Sequence, residues 1–104
     1  LIGGPMSLTV NIYYTGEDGS ARRYAEEMVS SSVVSDIRAE EGNLSYAYFF
    51  PIDDPETVLL IDQWKDQDSL DAHHKSEMMG KIAELRKKYR LRMQVERFNS
   101  IDNA

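Results

Sequence analysis

A chain of 104 residues is the length of one domain. Its composition, 41 % hydrophobic and 29 % charged, is that of a folded globular protein and not of a disordered segment. Eighteen acidic against twelve basic residues give a net charge of −6, which argues against nucleic-acid backbones and anionic membranes as partners. The absence of cysteine excludes a disulfide framework and thiolate chemistry. No apolar run approaches the roughly 20 residues that span a bilayer. Leu1-Ile2-Gly3-Gly4-Pro5 has neither a basic nor an apolar leader region, so it is not read as a signal peptide. The expectation is a cloning remnant with the native start at Met6, one domain over residues 7–98, and a cytoplasmic location.

Residues 7–14 alternate, with Leu8, Val10, Ile12 and Tyr14 on one face and Thr9, Asn11 and Tyr13 on the other, which predicts a strand. Gly16-Glu17-Asp18-Gly19 predicts a turn, with Ser20 as helix cap. Apolar residues at 21, 24, 25, 28, 29, 33, 34 and 37 predict a helix over residues 21–41 with one buried stripe. Ser30-Ser31-Ser32 is weak helix chemistry and a candidate break, and Gly42-Asn43 ends the helix.

Residues 44–50 predict a second strand, with Leu44, Tyr46, Tyr48 and Phe50 on one face. A third, at 57–64, is apolar on both faces for most of its length. Such a strand is covered on both sides, and a second copy of the chain is the simplest cover for the side without helices. Asp66 or Asp68 can cap a short helix to His74, and Ser76 can cap another that carries Met78, Met79, Ile82, Leu85, Arg86 and Tyr89 at helical spacing. Leu91, Met93 and Val95 alternate with polar residues in a last strand, and 99–104 reads as a frayed tail. The order is βαββαβ, an α+β ferredoxin-like sandwich with its helices on one face of an antiparallel sheet.

Candidate functional residues gather between positions 58 and 79, which hold the only tryptophan and both histidines. His73 follows Leu70 by three residues and so faces the sheet; it is either a proton-transfer group or a half-buried histidine satisfied by a carbonyl. His74 points roughly 100° away, and His73 with Glu77 supplies only two ligands, so a metal site is rejected. Trp64 is either packing or the wall of an aromatic-binding pocket. Asp62 reads as a solvated strand-end charge or the partner of Lys65 or Arg92. Asn11, an amide in an apolar strand, is either exposed on an edge or an inward polar anchor. Tyr46 and Tyr48 can line a pocket, offering ring contact and a hydroxyl. No phosphate loop, dinucleotide fingerprint or other cofactor motif is readable.

A strand ending in Asp62-Gln63-Trp64, then a polar stretch, then Leu70-Asp71-Ala72-His73-His74-Lys75-Ser76, resembles the antibiotic biosynthesis monooxygenase family. Glu40-Glu41-Gly42-Asn43 before a tyrosine-bearing strand supports it. The resemblance implies a dimeric α/β barrel of two ferredoxin-like sheets, with a pocket between sheet and helices in each subunit. It implies oxidation of quinols, phenols or anthrones by O₂ without flavin, haem or metal. His73 is then the base or anion partner, Trp64 the wall, Asn11 an anchor, and Tyr46, Tyr48, Leu60 and Leu70 substrate contacts. Leu60 and Leu70 stand where the anthrone-oxidising branch has Asn and Tyr. His73 and Ala83 stand where the haem-degrading branch has Trp and its ligating His, which argues against haem. The histidine also fits a branch that isomerises a phosphorylated sugar, so isomerase and non-catalytic dimeric binder remain as alternatives.

Overall fold

The structure, a computed structural model, describes residues 7–100. Residues 1–6, the expected remnant and start, and residues 101–104 of the expected tail lie outside the described residues. The strands are β1 (Leu8–Thr15), β2 (Asn43–Phe49), β3 (Thr57–Trp64) and β4 (Arg92–Asn99). The helices are α1 (Ser20–Ser30), α2 (Val33–Arg38), α3 (Gln67–His74) and α4 (Met78–Lys88). The sheet runs β2-β3-β1-β4, antiparallel throughout, with all four helices on one face. This is the ferredoxin-like arrangement expected from the element order, and as a single chain the sheet is open.

Alternation decides the two faces. Leu8, Val10 and Tyr14 from β1 and Val58, Leu60, Asp62 and Trp64 from β3 are buried under the helices, together with Tyr46 from β2. Tyr24, Ala25 and Met28 of α1, Val33, Val34 and Ile37 of α2, Leu70 of α3 and Ile82 of α4 complete that core. No helix among the described residues is long and apolar enough to cross a membrane.

The expected single helix over 21–41 is two. Ser32 takes a left-handed backbone, φ 73°, and the chain turns there, as the serine run foreshadows. Ser20 does not cap from outside the helix: Gly19 holds the cap position, and the Glu56 carboxylate accepts from the backbone N–H groups of Asp18 and Gly19. Ser76 likewise does not cap α4; its hydroxyl donates to the carbonyl of His73. A bulge between Asn43 and Ser45 displaces Leu44 from the face shared by Tyr46 and Tyr48. Phe50 lies beyond β2, exposed, with the Arg22 guanidinium over its ring. β4 runs longer than expected because its end pairs with the start of β1, and Ser100 N donates to the Ser7 carbonyl.

Gly42 lies in the turn from α2 to β2 and ties it to the residue that follows β3. Its φ is 83°, and its carbonyl accepts from Lys65 N at 2.8 Å. A side-chain carbon there would overlap the Cβ and hydroxyl of Ser69 in α3. Glycine meets both demands: left-handed backbone and close approach. Gly42→Ala should therefore lower stability by about 2–4 kcal/mol, from the backbone cost plus overpacking. Chemical denaturation measures it, and an unchanged midpoint would refute this account of the turn.

Candidate functional site

Asp66 begins α3 in an extended conformation, and its carboxylate accepts from Ser69 N at 2.9 Å. The helix is only eight residues long, so its inward face holds little more than Leu70 and, one turn on, His73. His73 is 4 % exposed and lies on the Trp64 indole, with ring centroids 4.7 Å apart and planes 27° from parallel. Trp64 arrives from the end of β3 and is fully buried.

Glu40 completes the group. Its N–H bonds to the Ile37 carbonyl as α2 unwinds, and the turn through Gly42 ties that segment to Lys65. Its carboxylate oxygens lie 3.0 and 3.2 Å from His73 Nδ1. A carboxylate on Nδ1 assigns the proton of neutral imidazole to that nitrogen and leaves the Nε2 lone pair as the basic position. Burial, the largest influence, holds the His73 pKa below its ordinary value against the opposing pull of Glu40, and His74 lowers it further. The imidazole is accordingly neutral near pH 7 and able to accept a proton. Its protonation stays unfavourable in the fold, so His73 adds stability above pH 6.5 that is lost as pH falls through its lowered pKa.

Asp62 differs most from expectation. It is 4 % exposed, on the helix side of β3, with Val10 and Tyr46 as its neighbours across the sheet. Neither Lys65 nor Arg92 pairs with it: its Oδ1 is buried with no hydrogen-bond partner among the described residues, and so is the Trp64 Nε1–H. Burial pushes the carboxyl pKa up to about 7, and the nearby indole opposes that shift. The two groups therefore sense each other, but no hydrogen bond of proper geometry joins them.

Tyr46 and Tyr48 stand edge-on at 5.9 Å, and Tyr24 meets Tyr48 at 6.0 Å and Tyr14 at 4.9 Å. Burial pushes the Tyr24 pKa up to about 12 and raises the other three as well, so all four hydroxyls stay protonated. Leu60 lies between Ile12 and Tyr48, and Leu70 is buried in α3. The helix side thus brings together Trp64, His73, Tyr46, Tyr48, Leu60 and Leu70. Asn11 is not with them. Alternation puts it on the opposite sheet face with Thr9 and Tyr13, where its Oδ1 is buried and unpartnered.

Glu40 was not singled out in the sequence as the partner of His73; its only signal was its place before Gly42-Asn43. Two concavities lie elsewhere. One of about 460 Å³ lies between the turns that precede α1 and follow α4, and one of about 510 Å³ lies between α1 and α4. Neither is lined by His73 or Trp64, so donor and acceptor chemistry, not depth, marks the site. Among the described residues no three His, Asp or Glu side chains gather as metal ligands.

Asp62 gives a signed prediction. Its folded pKa, about 7, lies above the ordinary 3.8. The fold therefore holds a proton that the unfolded chain releases, and stability falls as pH rises between those values. Asp62→Asn should be indistinguishable from wild type near pH 4 and more stable above pH 7, on the order of a few kcal/mol. Urea denaturation across that range checks it, and a pH-independent difference would refute a raised Asp62.

The sequence profile of the family described as Antibiotic biosynthesis monooxygenase matches residues 7–85. Among solved structures, a conserved protein from Methanosarcina mazei Go1 superposes with a TM-score of 0.80 at 18 % identity, covering 94 % of this chain and 96 % of that one. PA3566 from Pseudomonas aeruginosa gives 0.76 at 22 % identity, covering 92 % and 95 %. SnoaB, a cofactor-independent oxygenase from Streptomyces nogalater, gives 0.77 at 11 % identity, covering 94 % and 96 %. Comparison with curated proteins finds no significant match. At these identities the structural likeness speaks to fold, whereas the profile covers most of the chain: the protein belongs to the antibiotic biosynthesis monooxygenase family.

Proposed function

We propose that this protein is a cofactor-independent monooxygenase that oxidises a small electron-rich aromatic, of the quinol, phenol or anthrone type, with O₂. The observation that carries the reading is the buried His73, oriented by Glu40 through Nδ1 and laid on the face of Trp64. A neutral imidazole in an aromatic, water-poor setting can take a proton from an acidic hydroxyl or methylene. The resulting anion is the electron donor. For a hydroquinone, one oxygen atom enters the ring as a hydroxyl, the other leaves as water, and the product is the hydroxyquinone. All four electrons come from the substrate, so this chemistry needs no external reductant. The protein contributes desolvation, orientation and the proton acceptor.

We assign the working form to a cytoplasmic homodimer. The sheet face away from the helices carries Tyr13, Leu59, Ile61, Phe49 and Phe98, of which Phe49 and Phe98 are about half exposed. A second copy laid against that face would cover the open sheet. Light scattering at micromolar concentration should return twice the chain mass; a monomer would remove the barrel assembly.

The decisive assay is O₂ consumption with a panel of quinols and anthrones, autoxidation subtracted. Wild type should consume O₂ at least tenfold faster than His73→Ala, the usual scale of a general base being about 10²–10⁴. Glu40→Gln should fall between them, since it keeps the imidazole but loosens its tautomer. Uptake indifferent to His73 would sink the assignment. Turnover of a polar metabolite without O₂ would transfer the same pair to isomerisation, and ligand-induced stabilisation without turnover would leave a binding protein.

A further inference from the structure

Two side chains on the helix face of β3 are each buried with an unsatisfied polar atom of opposite character. Asp62 is 4 % exposed, and its orphan Oδ1 can only accept when ionised. Trp64 is fully buried, and its orphan Nε1–H can only donate. They stand two residues apart and so project from the same side of one strand. Each is the other's nearest candidate: the indole lowers the carboxyl pKa as a hydrogen-bond donor does, yet the geometry falls short of a hydrogen bond and both atoms stay unpartnered among the described residues. Leaving either group unpaired costs free energy on the scale of a lost hydrogen bond or more, and buried orphans that survive such a cost call for a reason.

We propose that Asp62 and Trp64 form a subsite for a single hydroxyl oxygen of the substrate, which donates its hydrogen to Asp62 Oδ1 and accepts the Nε1–H of Trp64. This inference rests on the aromatic-substrate reading above and names the group by which that substrate is held.

Above pH 7, where the carboxyl is ionised, the chemistry of the pair is selective. A carbonyl or ether oxygen can take the indole N–H but then faces the lone pairs of the carboxylate. An ammonium satisfies the carboxylate but leaves the indole without an acceptor. A phosphate brings further negative charge against a buried carboxylate. A hydroxyl alone both donates and accepts from one atom. The surroundings suit one carried on a ring: the Tyr46 side of the sheet flanks Asp62, and the His73 imidazole stacks on Trp64. A carboxyl raised to about 7 also lies nearer to a phenol, whose ordinary value is about 10, than an exposed aspartate does. The hydrogen bond between them is correspondingly better matched. The subsite holds the hydroxyl while His73, stacked on the indole, remains the proton acceptor of the proposed reaction.

The test uses the single tryptophan, whose indole N–H gives one cross-peak in a ¹⁵N–¹H spectrum. The whole protein, labelled, kept free of O₂ and held about one unit above the raised Asp62 pKa, is titrated with 1-naphthol and with 1-methoxynaphthalene, which retains the ring and oxygen but cannot donate. Naphthol should shift the indole peak and bind roughly tenfold or more tightly than the ether, the scale of one hydrogen bond to a charged group. In Asp62→Leu, which removes a buried charge, the preference should collapse to within about twofold. Should that variant not fold, Asp62→Ala, which likewise has no acceptor, is read in the same way and should also lose most of the preference. Equal affinity for the two probes, an indole peak that moves with neither, or a preference that survives loss of the carboxylate overturns the subsite. O₂ uptake dependent on His73 beside an indifferent indole removes the subsite and leaves the oxygenase standing. A naphthol preference dependent on Asp62 without any O₂ uptake sustains the subsite and removes the oxygenase.

Discussion

The stacking of His73 on Trp64 is the contact on which the site depends, and it draws on three separate parts of the chain. β3 delivers the indole, α3 delivers the imidazole, and the turn after α2 delivers Glu40 to Nδ1. An imidazole this deeply buried favours its neutral form, and a carboxylate at one nitrogen directs which nitrogen keeps the lone pair. Gly42 is what brings these parts together. Its left-handed backbone lets the turn approach α3 so closely that Ser69 occupies the space a side chain would need. A small change far from the imidazole, in the path of that turn, would therefore move Glu40 relative to His73.

Polar atoms enter the interior: the buried Tyr14, Tyr24 and Tyr46, the partly buried Tyr48 and the buried Asp62 lie between sheet and helices, where aliphatic residues would pack without polar atoms to satisfy. Burial keeps the phenols protonated and pushes the Asp62 carboxyl towards neutrality. Tyr48 and Tyr24 hydroxyls face each other at 3.5 Å, at the outer limit of a hydrogen bond, so this layer is loosely coupled. A core of that kind sacrifices some stability, and departures from good core chemistry concentrate where function demands them.

Much of the fold was legible because alternation and helical spacing are strong, local signals. The bounds of β3 and the burial of Leu70 and His73 three residues apart follow from them directly. Ser30-Ser31-Ser32 was readable as a break, though not which serine would turn left-handed. The failures share one physical cause: they depend on partners distant in sequence. Asp62 at a strand end looks solvated until the helices that cover it are in place. Glu40 is 33 residues from His73, and no local pattern joins them. The bulge that removes Leu44 from its face arises from pairing against β3, which the β2 sequence alone does not encode. The motifs that carry the family resemblance contain both Asp62 and Glu40, but they give neither carboxylate a role.

Asn11 shows how one strand can serve two surfaces. Val10, its neighbour, packs beside Asp62 on the helix side, while Asn11 projects the other way. Along β1, which pairs with β3 without a bulge, the period of two holds, and a residue on the opposite face is removed from the helix side however polar it is. Its orphan Oδ1 therefore belongs to the outer face, with Leu59 and Ile61, and bears on what covers the sheet. The two sets of unsatisfied atoms divide accordingly. Those of Asp62 and Trp64 lie on the helix side of the sheet, whereas that of Asn11 is buried on the other. A ligand on the first side and a partner on the second would both bear on β1 and β3, so assembly and occupancy of the site would share one sheet.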